Sequence, residues 1–149
     1  MLEVSRLRRI GEAAEATGLT PRAIRYYEEI GLLKPAAHVS GGNRRYDNED
    51  LQRLTLIKQL REVVGLGLAE VQEFLETETV RRELSRQYHA THDPTRQAEL
   101  LDRVEPILRR RVDLLERKLD KVQALLDEEQ ARLERARALR DQLLAVASN

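Results

Sequence analysis

The residues best suited to chemistry lie in one short stretch, residues 20–35, which reads Thr-Pro-Arg-Ala-Ile-Arg-Tyr-Tyr-Glu-Glu-Ile-Gly-Leu-Leu-Lys-Pro. Its cations and phenols are Arg22, Arg25, Tyr26 and Tyr27. Both side-chain types donate hydrogen bonds to phosphate oxygens, and arginine also reads guanine edges with two bonds. The stretch therefore predicts a recognition helix for duplex DNA. The alternative is an amphipathic helix with a solvated basic face, whose buried side consists of Ala23, Ile24, Tyr27 and Ile30.

Local signals bound this helix on both sides. Thr20 is a good N-cap, Pro21 fits the first helical position, and Gly31 suits the left-handed position after the last turn. Before it, residues 11–17 predict a short alanine-rich helix that stops at Gly18. Two short helices joined by a tight glycine turn predict a helix-turn-helix.

The stretch after the recognition helix predicts a small β-hairpin. Gly41-Gly42 is a strong turn signal, with Val39 before it and Asn43-Arg44-Arg45-Tyr46 after it. A hairpin that carries arginines is a wing, which can lie along the DNA backbone or reach into the minor groove. The alternative is a surface loop whose arginines are merely solvated. The position directly after a basic helix-turn-helix favours the wing.

The composition suits a long solvated helix better than a large core. Of the 149 residues, 35% are charged and only 3% are aromatic, and the formal net charge is zero. Residues 20–46 are nevertheless locally basic, with five cations against Glu28 and Glu29. The stretch can therefore attract phosphate although the whole chain is neutral.

Several classes of protein do not fit the sequence. There is no cysteine, which excludes disulfides, thiolate metal sites and cysteine-ligated iron–sulfur clusters within the chain. No signal peptide and no apolar stretch of membrane-span length is visible, so we expect a soluble cytoplasmic protein with no membrane partner. Ser5, Ser40 and Ser85 have no triad context and no carboxylate constellation stands out, so we do not expect an enzyme.

The middle of the chain predicts two more helices. Asp47 can cap a helix whose apolar stripe recurs at three- and four-residue spacing, at Leu51, Leu54, Ile57, Leu60 and Val64. Residues 68–75 predict another helix, with Leu68, Val71, Phe74 and Leu75 facing inward. Gly65-Leu66-Gly67 is a turn between these helices or a second wing.

A coiled coil is readable in the last third of the chain. Asp93-Pro94 predicts a helix start, and Pro106 predicts a kink or a new helix. From there the apolar seam runs through Leu108, Val112, Leu115, Leu119, Val122, Leu126 and Leu133. A single helix cannot bury such a seam, which leaves a homodimer or an intrachain hairpin. No turn signal interrupts the stretch, which favours the homodimer.

The combined motifs resemble the MerR family of transcription regulators. The match includes residues 10–14, 17–28, 30–33, 43–46 and 68–71, about half of the chain. The resemblance implies a mainly α fold, in which a winged helix-turn-helix with a small β-hairpin wing precedes a long helix that dimerises as an antiparallel coiled coil. It also implies a near-palindromic operator in double-stranded promoter DNA, which the homodimer distorts so that RNA polymerase can engage both promoter elements.

The resemblance also assigns residues and segments. It implies that the DNA-binding residues are Thr20, Arg22, Arg25, Tyr26 and Tyr27 together with the wing residues Asn43, Arg44, Arg45 and Tyr46. We expect a DNA-binding domain at 1–76, a helical connector at 77–105 and the dimerisation helix at 106–147. The chain departs from the usual pattern at two points. It is one residue longer between Leu60-Arg61 and Gly65, and Gly67 stands where a serine cap is common.

Sensing is the least determined function. His89, His92 and Asp93 form too sparse a set for a metal site, and we expect neither a metal nor a cofactor. A small-molecule effector of unknown identity, if the protein has one, would bind where Phe74 and Tyr88 meet the partner's coiled coil. The alternative to a DNA-binding regulator is a coiled-coil scaffold whose N-terminal domain binds protein.

Overall fold

The computed structural model describes residues 6–34, 37–39 and 43–149, with the backbone alone for 37–39. The predicted turn at Gly41-Gly42 lies outside the described residues. The chain forms two compact units, Met1–Glu83, which we call the head, and Leu84–Asn149. In the described ranges, no helix combines the length and the apolar character that crossing a membrane requires.

The head begins with the predicted helix-turn-helix. Helix α1 spans Ile10–Thr17 and helix α2 spans Pro21–Glu29. Gly18 between them has φ +69°, and the Lys58 ammonium lies 2.5 Å from the place a Cβ would occupy there. The positive φ favours glycine, since other residues rarely adopt it, whereas the flexible Lys58 side chain could move aside for a Cβ. Helix α1 packs against α2 and against the third helix, which fixes the pair on the core.

The wing follows as a two-stranded antiparallel hairpin. Strand β1, Ala37–Val39, pairs with β2, Asn43–Arg45, in the register that places Ala37 opposite Arg45. Tyr46, directly after β2, exchanges two backbone hydrogen bonds with Arg8, at 2.8 and 3.0 Å. The predicted hairpin is confirmed, and its return strand is tied to the chain just before α1.

Two helices complete most of the head. Helix α3 spans Asn48–Lys58 and begins with the predicted Asp47 cap, whose carboxylate accepts a 2.8 Å hydrogen bond from the Asp50 amide. Helix α4 spans Leu68–Glu76. Its cap residue Gly67 has no side chain to cap the first turn, but the Gly67 amide donates a 2.7 Å hydrogen bond to the Glu70 carboxylate. Of the residues expected to face inward, Val71 and Leu75 are buried, whereas Leu68 and Phe74 are half-buried.

A π-helix, Gln59–Val63, connects α3 to the turn before α4. In this conformation each amide bonds five residues back, as the Val64 amide does to the Gln59 carbonyl at 3.1 Å. The π-helix overlaps the segment between Arg61 and Gly65, which the family resemblance predicts to be one residue longer than usual. A π-helix would accommodate such a residue without breaking the helix.

The core of the head lies between these helices. Its buried apolar side chains are Ala13, Ala14, Leu19, Ile24, Tyr27, Leu32, Leu33, Tyr46, Leu54, Ile57, Leu60, Leu66, Val71 and Leu75. They come from α1 to α4, the π-helix and the connections between them, so these short elements are stabilised mainly by packing against one another.

The rest of the chain is helical. Helix α5 spans Glu78–Ala90, where the sequence showed only weak periodicity, and α6 spans Pro94–Ala147. The Asp93 carboxylate caps α6 through a 3.1 Å hydrogen bond from the Thr95 amide, as the sequence predicts. The expectation of a new helix at Pro106 is wrong, because α6 runs through that proline. At about 1.5 Å per residue, its 54 residues span roughly 80 Å.

Helix α6 exposes the predicted seam. The exposed fractions of these residues lie between 38% for Leu115 and 64% for Leu119. By contrast, Leu100 and Leu114 on the same helix are buried. Because α6 is one continuous helix, the alternative of an intrachain hairpin within it is excluded.

Candidate nucleic-acid interface

Helix α2 separates its polar and apolar side chains cleanly. The Thr20 hydroxyl accepts a 3.1 Å hydrogen bond from the Ala23 amide and so starts the helix. Ile24 and Tyr27 then point into the core, with 0% and 8% of their surface exposed. Arg22 and Arg25 are exposed on the other side. The buried side therefore fixes the helix, and the basic side faces solvent.

The two tyrosines of α2 have different positions. Tyr26 is 43% exposed, whereas Tyr27 is buried and its ring centroid lies 5.8 Å from that of Tyr26. Tyr26 can therefore present its hydroxyl to a phosphate. Tyr27, which the sequence placed among the DNA-facing residues, belongs to the core in this structure, because its position one turn after Ala23 and Ile24 turns it inward.

The end of α2 is fixed by a long-range hydrogen bond. Gly31 adopts φ +79°, as the sequence predicts. The Arg53 guanidinium from α3 then donates a 2.6 Å hydrogen bond to the Leu32 carbonyl. Burial lowers the pKa of Arg53, although the carboxylates of Glu78 and Asp50 act in the opposite direction. An arginine keeps its charge even so, and it holds the exit of α2 against α3.

The wing residues surround the same surface. Asn43 and Arg44 are exposed, Arg45 is half-buried and Tyr46 is completely buried. Tyr46 was expected at the DNA surface, but in this structure its ring fills the core beneath the wing. Burial raises the pKa of Tyr46, although Arg44 and Arg25 act in the opposite direction. The phenol therefore stays protonated at neutral pH and can donate.

The sequence did not predict that Glu28 accepts the hydrogen bond from the Tyr46 hydroxyl. Its carboxylate accepts hydrogen bonds from the Tyr46 hydroxyl and from the Arg44 guanidinium, and its side chain is only 4% exposed. A signal was present in the sequence, since Glu28 lies one turn after Ile24 on the face that is buried. A carboxylate on an apolar face requires an internal partner.

Two concave surfaces meet at Arg25. One, of about 580 Å³, is lined by Thr20, Arg22, Ala23, Arg25, Tyr26 and Glu29. The other, of about 410 Å³, is lined by Arg9, Ile10, Arg25, Asn43, Arg44, Arg45 and Tyr46. The structure thus brings the predicted residues of the recognition helix and the wing onto adjoining surfaces. It adds Arg9, which the sequence did not single out because it precedes the helix-turn-helix.

The structure offers no support for a metal site among the described residues. No three His, Asp or Glu side chains gather there as ligands. His89 instead meets Tyr88 edge-on, with ring centroids 5.3 Å apart.

Comparison with known proteins places the chain among regulators. A sequence profile of the family described as MerR HTH family regulatory protein matches residues 8–78. The transcriptional regulator YfmP of Bacillus subtilis is 36% identical over 106 residues, which cover 70% of this chain and 75% of that protein. The nodulation protein NolA of Bradyrhizobium elkanii is 44% identical over 80 residues, which cover 54% of this chain and 36% of that protein.

A solved structure also resembles the chain. It is HiNmlR, a MerR family regulator lacking the sensor domain, bound to promoter DNA. The identity is 24% and the TM-score 0.47, over 77% of this chain and 80% of that one.

Proposed function

The chain belongs to the MerR family of helix-turn-helix regulatory proteins and is a DNA-binding transcription regulator, and we propose that it acts as a homodimer on a near-palindromic promoter operator. In this proposal each protomer inserts α2 into a major groove and lays its wing along the flanking backbone. The bound DNA is then distorted, which changes the geometry that RNA polymerase meets at the promoter.

The exposed basic face of α2 is the observation that carries the proposal. Arg22, Arg25 and Tyr26 project from the side of the helix opposite the buried Ile24 and Tyr27. Arginines on a helix that enters the major groove can bond guanine edges, and a tyrosine hydroxyl can bond phosphate. We assign base recognition to Arg22 and Arg25, and phosphate contacts to Thr20 and Tyr26.

The position of Arg25 supports cooperation between helix and wing. Arg25 lines both concave surfaces, one shared with Tyr26 on α2 and one shared with Arg45 on β2. A phosphate strand that follows these surfaces would meet α2 and the wing in succession. Asn43 and Arg45 then hold the backbone beside the groove that α2 reads.

The exposed seam of α6 supports the homodimer. Val112, Leu119 and Val122 are each more than half exposed, although such side chains are stabilised by burial. Their heptad spacing fits the same seam of a second chain in a coiled coil. Two heads held at a fixed distance would address two half-sites, so the helix sets the spacing of the operator.

The relatives favour this function over the alternatives. YfmP is named as a transcriptional regulator and the matching family as regulatory proteins, and the scaffold hypothesis is not favoured. The sign of regulation follows from where the operator lies relative to the promoter elements. Sensing by a small molecule would require an effector site, which we place in the connector, residues 77–105.

The test is a footprint on the DNA upstream of the protein's own gene, followed by affinity measurements over a series of salt concentrations. We expect a protected near-palindrome between the promoter elements. Arg25→Ala should weaken binding to that site by about 1–3 kcal/mol, because one base or phosphate contact is lost. The slope of log K against log salt should fall by about one if the lost contact is to phosphate.

Arg135→Ala is the matched control, since Arg135 is an exposed cation on α6. It removes the same charge far along the helix and should leave both affinity and slope unchanged. If wild-type protein neither protects this DNA nor enriches any duplex from a random-sequence pool, the proposed function is wrong. A partner protein captured equally by wild type and Arg25→Ala would instead support the scaffold.

A further inference from the structure

Glu28 joins the recognition helix to the wing. It lies on α2, and its carboxylate accepts from two side chains at the end of the hairpin, the Arg44 guanidinium and the Tyr46 hydroxyl. The side chain of Glu28 is 4% exposed, whereas that of Arg44 is 44% exposed. A buried carboxylate is costly unless it is paired and hydrogen-bonded, so both partners are needed where they are.

We propose that Glu28 is a positioning residue for DNA recognition, which fixes the wing on α2 and holds Arg44 back from the phosphates. The wing's phosphate contact then falls to Arg45. This inference rests on the proposed function and adds to it different roles for two adjacent arginines, Arg44 in positioning the wing and Arg45 in contacting phosphate. The family resemblance placed both arginines at the DNA and gave Glu28 no role.

The geometry supports different roles for Arg44 and Arg45. Side chains that are neighbours on a strand point to opposite faces, so Arg44 and Arg45 cannot both face Glu28. Arg44 is engaged by a carboxylate that is shielded from solvent, and salt screens such a pair less than it screens exposed charges. Arg44 and Arg45 both line the concave surface that also contains Arg25, but the charge of Arg44 is paired with the Glu28 carboxylate. Of the two, Arg45 therefore carries the charge that remains for a phosphate.

Glu28→Gln separates the two tasks of the carboxylate. The amide keeps the shape and can still accept from Tyr46, but it no longer pairs with the Arg44 cation. The wing loses its fixed position, which weakens binding to the correct sequence. The released Arg44 can pair with any phosphate, which strengthens binding to every sequence. Both changes lower the ratio of specific to nonspecific affinity.

The experiment uses the full chain and two duplexes. One duplex is selected by wild-type protein from random-sequence DNA, and the other is its shuffled counterpart of equal composition. We expect Glu28→Gln to lower the affinity ratio between them about tenfold. On the shuffled duplex, the salt slope should become steeper by about one phosphate contact. A residue with a purely structural role would lower the melting temperature without changing the slope.

Glu15→Gln is the matched control. Glu15 lies on α1 of the same head, it is exposed and lines neither concave surface, and the substitution changes the charge identically. Its affinity ratio should stay within about twofold of wild type. In the double variant Glu28→Gln/Arg44→Ala, the salt slope should return to the wild-type value, because the released cation is gone.

Arg44 gives an independent readout if Glu28→Gln does not fold. Arg44→Ala alters a partly exposed residue, and its salt slope should equal that of wild type, whereas Arg45→Ala should lower the slope by about one. Equal losses of slope in both arginine variants would overturn the inference, as would an unchanged affinity ratio in Glu28→Gln. Failure of wild-type protein to select any duplex would instead refute the proposed function.

Discussion

The head and helix α6 treat their apolar side chains in opposite ways. In the head, Ile24, Leu54 and Ile57 are completely buried by other elements of the same unit. On α6, Leu119 and Leu126 are 64% and 47% exposed, although they recur with equal regularity. Both regions are helical and amphipathic, but only one of them covers its own apolar face.

The difference shows where each region obtains its stability. A short helix such as α2 is marginal in water and is held by tertiary packing within the head. A long helix with an open heptad seam is stabilised when a second chain covers that seam. The head should therefore fold alone, and α6 should need a partner chain.

Of the substitutions that test this difference between the head and α6, Leu119→Asp should have the largest effect. A carboxylate in the centre of the seam would have to be buried without a partner, which opposes dimerisation. We expect a monomer that no longer binds its operator, because the two heads are no longer held at a fixed distance. Sedimentation velocity and DNA-binding titrations on the same preparation measure both effects.

Ala124→Asp is the control for that variant. Ala124 is exposed and lies five residues further along α6, on the side away from the seam. The same charge there should leave a dimer that binds DNA normally. A Leu119→Asp protein that remains dimeric and binds like wild type would refute the coupling of the seam to DNA binding.

The next largest effects on the free energy of unfolding should come from two leucine truncations, Leu54→Ala in the head and Leu126→Ala on α6. Leu54→Ala removes a completely buried side chain and should lower the free energy of unfolding by about 2–5 kcal/mol. The loss should be the same in the monomeric Leu119→Asp background, because the head covers Leu54 by itself. Urea titrations in both backgrounds measure it.

Leu126→Ala should behave in the opposite way. It should destabilise the dimer, since a seam contact is lost, but have almost no effect in the Leu119→Asp background, where the seam is already open to water. An equal loss in both backgrounds would mean that α6 covers Leu126 within one chain.

Substitutions of the two helix-capping residues should have the smallest effects on stability, and they should differ between the head and α6. Thr20→Ala removes the hydroxyl that starts α2 and should cost about 1 kcal/mol in a urea titration, with Thr20→Ser restoring most of it. Asp93→Ala removes the cap of α6, whose exposed first turn can fray without disturbing a core. We expect the latter change chiefly as faster hydrogen exchange of the Thr95 and Arg96 amides. Equal global losses from both variants would contradict this.

Local signals in the sequence were sufficient for much of the fold. The Thr20 cap, the Gly31 stop and the Asp47 cap depend on a few neighbouring residues, so the bounds of α2 and the start of α3 could be predicted. The heptad likewise predicted the seam of α6. The start of α6 at Asp93-Pro94 was predicted as well, but its continuation through Pro106 was not, because a proline was expected to kink the helix or start a new one. A proline inside a helix costs about 3 kcal/mol through its missing amide and a local clash, and α6 continues past it to Ala147.

The candidate site was harder to predict where it depends on distant contacts. Arg22 and Arg25 follow from their spacing on one helix. The burial of Tyr27 was contained in the helical spacing with Ala23 and Ile24, although the family resemblance placed this residue at the DNA. The burial of Tyr46 depends on how the wing packs on the core, which motif matching does not reveal. The role of Glu28 depends on its meeting Arg44 and Tyr46 across a turn of the chain. Such a meeting has no short sequence signature.

The π-helix at Gln59–Val63 has a consequence for the descent of this chain. A π-helix holds one more residue than an α-helix of the same length, so losing one residue here would restore ordinary α-helical pairing. We therefore expect a relative that lacks one residue here to keep the side chains of α3 and α4 in the same register and to form the same head. In its alignment with this chain, we expect the gap within residues 59–63.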